Sequence, residues 1–111
     1  METDVKVNVI KRNGEEVSFD LLKIANAIKA ANQEVAPIYQ LNEYQIQAIA
    51  DNVAAKISEM THAVHVEDIQ DSVETVLEQA GYTDVAKAYI LYRKQREKMR
   101  NMKSTILNYI L

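Results

Sequence analysis

Val7-Asn8-Val9-Ile10-Lys11-Arg12-Asn13-Gly14-Glu15-Glu16-Val17-Ser18-Phe19 decides how this chain folds, because it reads as a β-hairpin ahead of a sequence whose pattern is otherwise helical. Asn13-Gly14 is the strongest short-range hairpin signal. A two-residue type I′ turn needs φ > 0 at both central positions, which Asn and Gly tolerate best. Val7, Val9 and Ile10 before the turn and Val17 and Phe19 after it suit a pleated, half-buried surface. A two-stranded hairpin alone is marginal in water, so it must lie on the helices that follow.

Downstream, Asp20 is a good N-cap for a helix over about residues 21–33, whose Leu21, Ile24, Ala25, Ile28 and Ala31 recur at helical spacing. Ala36-Pro37 breaks that pattern. A second helix starts after Asn42, with Gln45 as its capping-box partner, and runs to about Glu59 with Ile46, Ile49, Ala50, Val53 and Ile57 on one face. The alternating, β-branched segment around 62–65 reads as a third strand beside the hairpin. A third helix, about 67–80, carries Ile69, Val73, Val76, Leu77 and Ala80 and stops at Gly81, the usual residue just past a helix end. Thr83 caps a fourth, about 84–102, with Val85, Ala88, Tyr89 and Tyr92 on its apolar face and a basic end from Arg93 to Lys103. The expected fold is α+β: a four-helix cluster covered by a small three-stranded sheet, its N-terminal hairpin forming a lid. The domain is expected over 1–103. The apolar tail, 104–111, reads as the start of a linker or next domain of a longer parent chain.

Composition limits the function. A chain of 111 residues, 48% hydrophobic and 26% charged, can bury one real core. No stretch approaches the roughly 20 apolar residues of a membrane span, and Met1-Glu2-Thr3-Asp4 lacks the basic start of a signal peptide; the expected location is cytoplasmic. Cysteine is absent, which removes disulfides, thiolate metal sites and a cysteine nucleophile from this segment. A net charge of −3 argues against nucleic-acid binding, but a small polyanion feels a local cation cluster and not the total.

With only Gly14 and Gly81, the chain has no glycine-rich phosphate loop, so any nucleotide site must be built from side chains. The weight falls on Lys11 and Arg12 at the hairpin end and on Lys23 in the first turn of helix one, with Lys87 on a facing helix. Backbone N–H groups at the start of helix one add to the attraction for an anion. On composition alone these read first as solvated surface charges, since two adjacent cations at a hairpin end are not specific. His62 and His65 fall on opposite faces with no third ligand dictated, so no metal site is expected. Glu15 and Glu16 read as solvated carboxylates beside a turn rather than an acid–base pair. Tyr89 and Tyr92 read as core, and the run from Arg93 to Lys103 as a solvated helix or a junction.

Val9-Ile10-Lys11-Arg12-Asn13-Gly14, Val17-Ser18-Phe19-Asp20 with Lys23-Ile24, Val66-Glu67-Asp68-Ile69-Gln70-Asp71, and Ala86-Lys87-Ala88-Tyr89-Ile90-Leu91-Tyr92-Arg93 together resemble the ATP-cone domain, in order and over about residues 5–96. That domain regulates many ribonucleotide reductases and also occurs in a repressor of reductase genes. The repressor usually begins with a cysteine-rich zinc ribbon, absent here. The wording Tyr89-Ile90-Leu91-Tyr92-Arg93 and the continuation Ser104-Thr105-Ile106-Leu107 resemble the N-terminal region of an anaerobic ribonucleoside-triphosphate reductase.

The resemblance implies a non-catalytic regulatory site for ATP or dATP, accompanied by Mg2+, in a parent oxidoreductase that ATP keeps active and dATP switches off. Its implied partners are adenine nucleotides, the remainder of the reductase chain, and further copies in a nucleotide-dependent homo-oligomer. Carried over by position, Val9, Lys11 and Arg12 match the family's strand-and-turn motif, Lys11, Arg12, Lys23 and Lys87 face phosphate, and Ile24 and Ile69 are apolar positions near the base. Glu16 and Ser18 are implied for base or ribose contacts, and Gln70 completes the set. Many aerobic relatives place a threonine and a histidine where this chain has Val66 and Gln70.

Overall fold

The computed structural model describes residues 7–110, with side chains through Lys103. Its elements are β1 (Asn8–Ile10), β2 (Glu16–Ser18), α1 (Leu21–Asn32), a 3-10 turn (Pro37–Tyr39), α2 (Glu43–Ser58), β3 (Val64–His65), α3 (Val66–Gln79) and α4 (Thr83–Ile110). The α+β architecture expected from the sequence is the one observed: four helices and a small mixed sheet.

The strand order is β2-β1-β3. β1 pairs antiparallel with β2, Val9 opposite Val17, and parallel with β3, Val9 opposite Val64. The parallel ladder was beyond local reading. It makes β1 a central strand, so the lid is anchored along one edge to the segment that leads directly into α3. β2 is the outer edge strand, and the tip projects beyond the sheet.

The tip differs from the expected two-residue turn. The Lys11 N–H donates to the Glu15 carbonyl at 2.8 Å and the Gly14 N–H to the Lys11 carbonyl at 2.9 Å, leaving Arg12, Asn13 and Gly14 as the loop. Gly14 alone takes positive φ there, at 87°, so Asn13 is not in the conformation a type I′ turn requires. This is the three-residue hairpin connection, a type I turn closed by a left-handed glycine. Asn13 contributes through its side chain instead, its Oδ1 accepting the Glu15 N–H at 3.0 Å.

The helices begin and end largely where their caps indicate. Asp20 accepts the Leu22 N–H at 3.0 Å. Asn42 and Gln45 exchange two 2.8 Å bonds in a full capping box, and Gly81 ends the α3 segment at φ 85°. α3 starts one residue earlier than expected, at Val66, where the His65 N–H donates to the Asp68 carboxylate at 2.9 Å. α4 continues past the expected end near residue 102 to Ile110, since neither Gly nor Pro interrupts it. The side chains of the apolar tail lie outside the described residues.

α1 packs on α2 and α4, and α3 packs on α2 and α4. Ile28, Val53, Ile57, Val73, Leu77 and Val85 are fully enclosed where these faces meet, each worth about 1.5–3 kcal/mol of apolar burial. Val9 and Val64 join the same core from the sheet. Ala80, expected on the apolar face, is exposed at the end of α3, while Ala86 is buried beside Val85. Buried Asn32, at the end of α1, brackets Leu41: its Oδ1 accepts the Leu41 N–H at 2.8 Å and its Nδ2 donates to the Leu41 carbonyl at 3.0 Å. One side chain thus fixes where the α1–α2 connection returns to the core.

Candidate functional site

Because Arg12 lies in the loop rather than at the strand end, its side chain is free of strand alternation and swings toward the helices. Its Nη1 lies 3.1 Å from Glu67 Oε2, in the first turn of α3, and 3.8 Å from Glu97 Oε1 on α4. Lys11 pairs with Glu15 across the hairpin at 3.3 Å. Lys11, Arg12 and Asn13, together with Val66 and Arg100, line an open cleft of about 360 Å³ between the tip and the two helices. That volume is in the range of small-molecule sites. Three cationic side chains line the cleft, two of them already paired: Lys11 with Glu15, and Arg12 with Glu67 and Glu97.

None of the other site residues singled out from the sequence lines this cleft. Lys23 is exposed in the first turn of α1. The start of that helix is less open to an anion than expected: Asp20 already accepts the Leu22 N–H, and the Lys23 N–H donates to the Asp20 carbonyl at 3.2 Å. Val9 and Ile24 are core residues, 4% and 7% exposed, which leaves only their edges for a ligand; Ile69 is half-buried and more accessible. Glu16 and Ser18 are exposed, on the face of β2 opposite to the one that carries Val17 inward.

Lys87 lines a different groove. That groove, about 490 Å³, runs between the α1–α2 connection and α4 and includes Glu34, Tyr39, Asp84 and Tyr92. Lys87 and Arg100 are thirteen positions apart on α4, about 20 Å along the axis at 1.5 Å per residue. The structure therefore does not bring Lys87 to the cleft that Lys11 and Arg12 share.

Gln70 is engaged by Arg93, whose Nε donates to its Oε1 at 3.0 Å. The same guanidinium donates to Asp71 at 2.9 Å and to Glu74, which makes Arg93 a clamp between α3 and α4 rather than part of a solvated basic end. Burial opposes its charge, but the hydrogen bonds it donates to Glu74 and Asp71 outweigh that and raise its pKa above the ordinary arginine value. One turn earlier, burial pushes the Tyr89 phenol up to about 12, against the opposing pull of Arg93. Its ring centroid lies 6.4 Å from that of Tyr92.

Glu67 lies in the stretch 66–71 and Glu97 and Arg100 in the run 93–103, but nothing local marks these three as site residues. They matter only because the hairpin tip reaches across to them. Among the described residues no group of three or more His, Asp or Glu side chains is placed to hold a metal ion, and the ring nitrogen Nδ1 of His62 contacts the Ala63 carbonyl. No helix of the described residues is long and apolar enough to cross a membrane.

Comparison with known proteins gives a consistent picture. The profile of the ATP cone domain matches residues 7–98. The vitamin B12-dependent ribonucleoside-diphosphate reductase of Mycobacterium tuberculosis (strain ATCC 25618 / H37Rv) is 37% identical over 99 residues, 88% of this chain and 13% of that protein. The ribonucleoside-diphosphate reductase subunit alpha of Treponema pallidum (strain Nichols) is 40% identical over 98 residues, covering 85% of this chain and 12% of its own length. The anaerobic ribonucleoside-triphosphate reductase of Haemophilus influenzae is 32% identical over 103 residues, covering 92% and 14% respectively. The chain thus spans a small part of each relative.

Proposed function

The chain belongs to the ATP-cone family, and on that premise we propose that it is the effector-binding regulatory domain of a ribonucleotide reductase, taking ATP or dATP at the hairpin-tip cleft. The observation that carries this reading is the convergence of Lys11 and Arg12 with Arg100 around one open cleft. Charge-assisted bonds from such cations are the strong ones for phosphate oxygens, and an arginine fork suits them better than a lysine. Mg2+ arrives with the nucleotide and neutralises the remaining phosphate charge. Lys23 contributes from α1, and Ile69 offers apolar surface to the base.

For the class of the parent, the Tyr89-to-Arg93 wording and the 92% coverage by the Haemophilus influenzae enzyme support the anaerobic triphosphate reductase. Identity is higher to the Mycobacterium tuberculosis and Treponema pallidum diphosphate reductases, so activity of the full-length parent on triphosphates against diphosphates decides the class.

ATP and dATP differ by one hydroxyl, and a ligand shifts an equilibrium only by its differential affinity for the two states. The switch then resides in contacts around the ribose. It is expressed as a change of assembly, with coupling of about 1–3 kcal/mol.

Calorimetric titration of the chain with ATP and dATP tests the binding, and saturable binding of at least one is expected. No heat and no protection with either nucleotide refutes it. Light scattering and activity of the full-length parent at saturation with each nucleotide test the switch; identical assembly and activity with both would remove it.

A further inference from the structure

The contacts of Arg12 are unusual for a residue assigned to bind phosphate, since its guanidinium is already held between two carboxylates on two different helices. Resting on the effector-site reading above, we propose that α4 forms a wall of that site. In this arrangement Arg100 is a third cation for the phosphate tail, and Glu67 and Glu97 are the anions that hold Arg12 until phosphate takes their place.

Three features of the geometry argue for it. Glu97 and Arg100 are three apart on one helix and therefore share a face, and Arg100 lines the same cleft as Lys11 and Arg12. The side chains of Arg12, Glu67 and Glu97 are 38%, 42% and 52% exposed, so these pairs are partly solvated, screened by salt and weakly held. A polyphosphate offers several acceptor oxygens to one guanidinium with paired geometry, which makes it a stronger partner than either carboxylate. The exchange leaves Glu67 and Glu97 facing the incoming negative charge. They lower the affinity of the site and make it selective for tails with enough charge to win Arg12. The release of Glu97 also changes the charge partners of α4 whenever the cleft is filled.

The experiment is calorimetric titration of the full chain with ATP and with inorganic tripolyphosphate, both without divalent metal, with folding of each variant checked by circular dichroism. Arg100→Gln is expected to weaken both ligands about tenfold. Glu67→Gln and Glu97→Gln are each expected to tighten both severalfold. Glu78→Gln removes an exposed carboxylate eleven residues further along α3, about 16 Å away, and is expected to leave affinity unchanged because that distance exceeds the screening length of about 8 Å. The proposal is overturned if R100Q binds like the wild type, if E67Q and E97Q weaken or do not alter binding, or if E78Q tightens it as much as they do. Lys11→Ala and Arg12→Ala separate the two levels. If they abolish binding while R100Q, E67Q and E97Q change nothing, only the part given to α4 falls. If they too change nothing, the placement of the site falls with it.

Discussion

Replacing Asn32 by alanine tests the reasoning where the structure is most explicit. Asn32 is 8% exposed, Leu41 is 8% exposed, and the two hydrogen bonds between them satisfy both backbone groups of Leu41. Alanine deletes both bonds. It also leaves a buried N–H and C=O to find water or bear a desolvation cost of about 1–3 kcal/mol each. Partial access of water at this position keeps the total toward the lower end, and the better helix propensity of alanine returns about 0.5 kcal/mol. The expected loss is about 2–4 kcal/mol, a large share of the roughly 5–15 kcal/mol that holds a domain folded. At about 4 °C per kcal/mol for a domain near this size, Tm falls by about 8–16 °C. Urea unfolding with a matched thermal scan measures both. Asn52→Ala, at an exposed position of α2, is the control and should be neutral or slightly stabilising. If N32A lay within 0.5 kcal/mol of the wild type, the bracket would not hold the α1–α2 connection, and the account of how that segment is placed would be wrong.

Lys11→Ala and Arg12→Ala should each weaken ATP binding by about 1.5–3 kcal/mol, the range for hydrogen bonds to charged groups, with little change in urea stability; an unaltered calorimetric affinity in the folded double variant would contradict the site. Amide exchange over residues 11–18 should slow when nucleotide is added, while β1, held on both edges by β2 and β3, changes less; equal exchange at the tip with and without saturating ATP would exclude a lid. Stability should fall at alkaline pH because the Tyr89 phenol ionises at about 12 in the folded chain against about 10 when unfolded. Its contribution is complete below pH 10 and lost as pH rises through 12, at most about 2.7 kcal/mol. Tyrosinate absorbance and urea unfolding across that window check it, and Tyr89→Phe should flatten the profile.

The sequence by itself determined the elements. Apolar residues at helical spacing, Asp20, the Asn42–Gln45 pair and Gly81 act within a few residues, so they placed the four helices and the α+β class before any contact was known. The same local signals marked Lys11, Arg12 and Lys23 as cations at element ends. Asn13-Gly14 marked a turn, but not its length: whether Arg12 ends a strand or sits in the loop depends on the pairing of Lys11 with Glu15.

Only the tertiary structure decided what those residues meet. The parallel pairing of Val9 with Val64 joins segments more than fifty residues apart and made β1 central. The packing of α3 and α4 placed Glu67, Glu97 and Arg100 around the tip, gave Arg93 its partners on α3, and left Lys87 in a separate groove. Helix formation is governed by neighbours three and four residues away, whereas a cleft between a hairpin and two helices exists only once all three have packed.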